Sequence, residues 1–289
     1  MEVIHVNNHD RNSHLSIGEP CVMALGFFDG VHLGHQQVIN TAKRVADEKQ
    51  LPLVCMSFYP HPKEVLTKGR KTVQYLMPMA DKQRVLRKLG VTKFYIVQFD
   101  PKFASLSPKQ FVHKYLLDFG VTHVVAGFDF TYGCRGEGHM DRMKDDADNM
   151  LEVIKVKKVE LEGEKISSTL IRKVICSGRV EELHRYLGNH YQIEGKVFAS
   201  NGAAMVQVKP GYLLPAPGMY EVTISNRKKT WKQEAFVIHE QGTCRLHLSE
   251  NSSLVVRQTI RIGWIKRLQP EVVIPLEYSS RKVHSEIVS

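Results

Sequence analysis

Between residues 21 and 187 the chain alternates short apolar runs with longer stretches that are apolar on one side only. Val22–Phe27, Leu53–Phe58, Phe94–Val97 and His123–Ala126 read as buried strands, and Leu151–Val159 as a fifth. In Gln36–Lys49 the residues Val38, Ile39, Ala42, Val45 and Ala46 recur at helical spacing. Lys82–Leu89 is a second helix. Ser107-Pro108 opens a third, with a capping hydroxyl and a first-turn proline ahead of Phe111, Tyr115, Leu116 and Leu117. Strands separated by helices of this length predict an α/β domain with a parallel sheet covered by helices.

After Gly188 the pattern changes. Tyr191–Ala199, Ala204–Val208, Gly218–Ser225, Thr230–His239, Thr243–Leu248 and Ser253–Leu268 read as strands separated by Gly, Pro, Asn and Ser, with no helical period between them. This predicts a small antiparallel β-barrel domain. The expected division is therefore residues 1–187 and 188–289, with a loosely ordered tail after Pro275.

Composition narrows the classes. Hydrophobic residues make up 43% and charged residues 24%, an ordinary balance for a protein with a buried core. No apolar run is long enough for a membrane span, and the start Met1-Glu2-Val3-Ile4-His5 lacks the features of a secretory leader. Cys21, Cys55, Cys134, Cys176 and Cys244 lie far apart without a CxxC pair, which argues against a zinc site or a disulfide framework and fits a cytoplasmic protein. The formal charge is +10. Its basic residues are spread out, with short clusters such as Lys155–Lys158, and lack the aromatic interleaving of a strand-stacking surface. They read as a solvated surface, so neither nucleic acid nor membrane is expected as a partner.

The chemistry concentrates at the first strand-to-helix junction. Gly26-Phe27-Phe28-Asp29-Gly30-Val31-His32-Leu33-Gly34-His35 sets glycines at 26, 30 and 34, where a backbone must turn or approach a ligand. His32 and His35, three apart at a helix start, share one face beside exposed backbone N–H groups, a suitable cradle for a triphosphate. A lone histidine here would read as a cap or a core residue; two with three glycines read as a phosphate site. No Gly-Lys-Ser/Thr follows, so the segment is not a P-loop. Ser167, Ser168 and Thr169 at another helix start, with Arg172 a turn later, could face a phosphate chain from the opposite side. Alone they would read as an ordinary cap.

The junction resembles the HxGH signature of nucleotidylyltransferases, and FDGVHLGH resembles the bacterial riboflavin kinase/FAD synthetase family in particular. Ser57-Phe58-Tyr59-Pro60-His61-Pro62 is similar to the family's FxPHP segment, and Ile166–Arg172 to its ISSTxIR segment. Gly127–Gly133 is similar to a third, although Phe128 stands where a polar residue is usual. The resemblance spans roughly residues 15 to 190. It implies a Rossmann-like nucleotidylyltransferase domain that transfers AMP from ATP to FMN, with Mg²⁺ bridging the phosphates and no metal caged by the protein. On that reading His32, His35 and Arg172 are catalytic. Gly26, Phe27, Phe28, Asp29, Gly30, Gly34, Ser167, Ser168 and Thr169 hold ATP, and Phe58, His61, Pro62, Asp129 and Phe130 meet the flavin.

In the bifunctional members a β-barrel phosphorylates riboflavin, using a Pro-Thr-Ala-Asn segment after a Gly-Lys-Val strand. Here Gly195-Lys196-Val197 is followed by Phe198-Ala199-Ser200-Asn201-Gly202-Ala203-Ala204, while Leu213–Tyr220 resembles the family's later landmark. The expectation is a retained barrel without kinase activity. Two rivals stay open: a nucleotidylyltransferase for another acceptor, such as phosphopantetheine or a polyol phosphate, and a non-enzymatic flavin- or RNA-binding regulator.

Overall fold

A computed structural model describes residues 1–7, 18–200, 203–209, 211–226, 228–240, 243–248 and 257–268; the expected tail after Pro275 lies outside them. The chain divides into two compact units. The first comprises Met1–Ile175, Glu182–Tyr191 and Lys209–Leu213, the second Cys176–Glu181, Gln192–Val208 and Leu214–Ser289.

The first unit is built on a six-stranded parallel sheet of β1 (Glu2–Val6), β2 (Cys21–Leu25), β3 (Leu53–Tyr59), β4 (Lys93–Gln98), β5 (Val121–Gly127) and β6 (Glu152–Val156), in the order β1-β4-β3-β2-β5-β6. Every residue of β2 is buried. Cys21, Met23 and Leu25 enter one core cluster while Val22 and Ala24 enter the other, the two-residue period of a strand covered on both faces. The helices that matter for the site are α1 (Leu33–Lys49), α2 (Pro62–Leu66), α3 (Met79–Lys88), α4 (Pro108–Val112) and α5 (Ser168–Cys176).

Helix α1 buries the predicted Val38, Ile39, Ala42, Val45 and Ala46, but begins at Leu33, before the predicted Gln36, because His32 caps it. Helix α4 starts with the expected Ser107 cap, completed by Gln110 into a reciprocal capping box, and continues as a π turn through Leu117. Strand order reverses around β2: the chain moves outward through β3 and β4, then returns to place β5 on the other flank of β2. Ligands of open parallel sheets bind at the carboxyl ends of strands beside such a reversal.

The second unit is a closed antiparallel barrel of β7 (Gln192–Ser200), β8 (Ala203–Val208), β9 (Gly218–Ser225), β10 (Thr230–Glu240), β11 (Thr243–Leu248) and β12 (Thr259–Arg267). Its order is β7-β8-β11-β10-β9-β12, closed by β12 on β7. Strand β9 alternates buried and half-buried residues throughout. Trp264, fully buried, packs edge-on to Tyr220 at 5.2 Å. The predicted strands are present; residues 253–256 of the last one lie outside the described residues. Among the described residues no helix is long and apolar enough to cross a membrane.

Candidate active site

A cavity of about 850 Å³ opens where β2 and β5 end, within the first unit. Of the residues named from the sequence, Gly26, Phe27, Phe28, His32, Gly34, His35, Phe58, His61, Pro62, Asp129, Phe130, Ser167 and Ser168 line it. Asp29, Gly30, Thr169 and Arg172 do not.

His32 and His35 stack with ring centroids 3.6 Å apart. The His35 backbone N–H donates to His32 Nδ1 at 3.3 Å, which caps α1 and leaves Nε2–H as the donor of that neutral imidazole. Burial, aided by Lys165, pushes the His32 pKa down to about 4. His35 is held well below the ordinary histidine range by burial first, then by His32 and nearby lysines, and its buried Nδ1 has no hydrogen-bond partner. A Cβ at Gly34 would lie 3.1 Å from His32 Cε1, so the glycine leaves room for the ring. The turn before the pair is strained: Phe28 and Val31 hold φ of 50° and 40°.

Asp29 points away from the cavity. Its buried carboxylate accepts from the Leu76 N–H at 3.0 Å and the Met77 N–H at 3.2 Å, and pairs with Arg172. Burial outweighs the guanidinium and the amides, and the Asp29 pKa lies above its ordinary value. Arg172 also donates to Gln74 O at 3.0 Å. The sequence set Arg172 on the phosphates directly; its guanidinium is engaged with Asp29 and the 74–77 loop. Ser168 Oγ donates to Asp29 O at 3.0 Å, while Ser167 Oγ accepts from the Leu170 N–H at 3.2 Å. Thr169 is exposed.

One wall is aromatic. Phe58 lies 5.5 Å from Phe103 and 6.4 Å from Phe111, and Phe130 stacks 6.3 Å from Tyr132. His61 caps α2 through its ring and packs 4.4 Å from Phe27.

Sequence reasoning missed the lysines. Lys157 and Lys158, read as solvated, line the cavity with Lys165 and Arg135. Lys165 pairs with Asp129 and sits 4.7 Å over the Phe128 ring. Lys82, from α3, is buried behind the turn. Nothing in a local pattern marks these lysines; only the topology brings them to one place.

The FAD synthetase family model matches residues 15–170, a stretch that holds β2, the histidine pair and the start of α5. The chain belongs to the FAD synthetase family. A bifunctional riboflavin kinase/FMN adenylyltransferase of Bacillus subtilis is 36% identical over 94% of this chain and 91% of its own. A protein of Listeria monocytogenes named FAD synthetase is 31% identical over 88% of this chain and the whole of its own. Among solved structures, one titled as a macrolide-efflux protein from Streptococcus pneumoniae superposes with a TM-score of 0.82 at 28% identity, covering 93% of this chain and 92% of that one. As a FAD synthetase family member this chain is a nucleotidyltransferase, with ATP and FMN as substrates.

Proposed function

We propose that the cavity at the ends of β2 and β5 joins the adenylyl group of ATP to FMN, releasing FAD and pyrophosphate, and that the barrel does not phosphorylate riboflavin. The observation that carries the first half is the stacked, neutral His32–His35 pair at the start of α1, beside the strand reversal. FMN brings its own nucleophile: a phosphate oxygen attacks the α-phosphorus of ATP in line, and the bond to the bridging oxygen of pyrophosphate breaks. The protein need only align the two and meet charge on the transferring and leaving oxygens. His32 Nε2–H and His35 serve as those donors, with Lys157, Lys158, Lys165 and the Ser167 hydroxyl toward the phosphate chain, while Ser168 holds the turn through Asp29 O. Arg172 and Asp29 act from outside the cavity by fixing the turn and the 74–77 loop. The isoalloxazine ring lies along Phe58 and Phe130, with His61, Pro62 and Asp129 around it.

Mg²⁺, when bound together with ATP, would neutralise charge along the phosphates. Among the described residues no three His, Cys, Asp or Glu side chains converge to cage a metal, and Asp129 is the carboxylate of the cavity lining. The +10 charge then serves small anionic substrates rather than nucleic acid. Support for the loss of kinase chemistry comes from the β7–β8 hairpin. Ladder pairing runs from Gly195↔Val208 to Ser200↔Ala203, and Ala203 and Ala204 on that hairpin carry neither the hydroxyl nor the amide that a Pro-Thr-Ala-Asn segment would bring.

The test is chromatography after incubation with ATP and Mg²⁺ and either FMN or riboflavin. FAD and pyrophosphate should form from FMN, and no FMN from riboflavin. Bound nucleotide without FAD would favour a binding protein, and transfer to a different phosphate acceptor would move the activity elsewhere in the class. Steady FMN formation, free of contaminating kinase, would restore the barrel's chemistry.

A further inference from the structure

We propose that Lys82 is a positioning residue for adenylyl transfer: from behind the β2–α1 turn its ammonium fixes and polarises the Phe27–Phe28 peptide, aiming the Phe28 N–H at the phosphate. The proposal rests on the reading above that the phosphate chain lies at this turn.

Lys82 lies in the first turn of α3 and is 2% exposed. Its Nζ donates to Phe27 O at 2.7 Å, stands 3.5 Å from Ser57 Oγ and sits 5.0 Å over the Phe27 ring. Ser57 Oγ, fully buried, donates to the same carbonyl at 2.9 Å. The Phe27 carbonyl is therefore gripped twice. Burying an ammonium costs several kcal/mol before its partners repay it, and a leucine or methionine would fill the space without that cost. What an apolar side chain cannot do is grip the carbonyl with a charge.

In a trans peptide C=O and N–H point in opposite directions, so a donor held behind Phe27 O sends the Phe28 N–H the other way. Gly26, Phe27 and Phe28 line the cavity and Lys82 does not. A cationic donor on the carbonyl draws electron density through the amide and strengthens its N–H as a donor. The same grip holds Phe28 at its positive φ of 50°, a conformation that surrounding contacts must enforce. Burial lowers the Lys82 pKa to about 8, with Asp29 pulling the other way, so the side chain is charged at neutral pH.

Steady-state kinetics, melting and calorimetric titration with FMN and with inorganic pyrophosphate test this on the full chain. Lys82→Met should melt no lower than the wild type and keep its FMN affinity within threefold. Its kcat should fall about thirtyfold and its pyrophosphate affinity about tenfold. Ser57→Ala, which removes only the second grip, should lower kcat about threefold to tenfold at unchanged FMN affinity, and it decides the matter if Lys82→Met does not fold. Turnover within twofold of wild type in the folded variants would overturn the proposal. So would kcat, FMN affinity and melting point falling together, the mark of a lysine that only supports the fold. Wild type in the same assay separates the two ideas: no FAD from it sinks the underlying reading, whereas FAD from it with an unaffected Lys82→Met sinks only the grip.

Discussion

Burial lowers the pKa of both His32 and His35, so on the proposed reading they would meet an incoming triphosphate as neutral N–H donors rather than as fixed charges. Removing either to alanine should lower turnover at least tenfold without unfolding the protein, since such donors act on charge that builds in the transition state. Unchanged kcat in both variants would place the chemistry elsewhere. The same neutrality has a cost in acid. His32 titrates at about 4 folded and at 6.5 unfolded, so between these values the unfolded chain binds a proton that the folded one refuses. Stability therefore falls as pH drops through that window, by on the order of 3 kcal/mol from His32 alone, and His35 pulls in the same direction. Urea unfolding at pH 7, 6, 5 and 4 should show a shallower decline for His32→Asn; equal slopes would contradict the assignment. The pair was legible in the sequence because its spacing and glycines are local. Lys82 was not, because a lysine in an amphipathic helix looks like surface until β3 and the β2–α1 turn close over it.

Asp29 ties elements together. Its carboxylate holds the 74–77 loop and Arg172, and its carbonyl accepts from Ser168 at the start of α5. The two ends of the ion pair are unequal: the Asp29 side chain is 2% exposed and that of Arg172 25%. Arg172→Met leaves a carboxylate buried, while Asp29→Asn leaves a guanidinium that can turn to solvent. The arginine change should therefore cost more stability, about 3 kcal/mol against 1–2 kcal/mol for the aspartate change, as measured by denaturant unfolding. The reverse order would mean that the backbone amides alone satisfy Asp29. Most elements could be read from hydrophobic period, but two features could not. Strand β1 pairs with β4 at the sheet edge, and its mixed burial leaves no clean alternation. Helix α3 begins at Met79, before the predicted Lys82, because its first turn follows Pro78 and lacks a side-chain cap.

Across the whole chain, the change from helical to strand pattern near Gly188 was plain in the sequence, yet the compact units do not divide the polypeptide at one point. Lys209–Leu213, encoded between β8 and β9 of the barrel, belongs to the first unit. There the Tyr212 hydroxyl donates to Asp81 in α3, and the Tyr191 hydroxyl donates to Leu213 O at 2.9 Å. A chain ending at Leu187 would lack both bonds, so it should melt several degrees below the full protein and turn over more slowly. Equal melting would show that the segment contributes nothing. If the segment does contribute, the barrel and the nucleotidyltransferase cannot be inherited separately. A lineage whose barrel lost its own chemistry would still be unable to delete it, because the deletion would remove five residues that complete the other unit. Selection would then maintain the barrel's foldability while its former catalytic positions drifted.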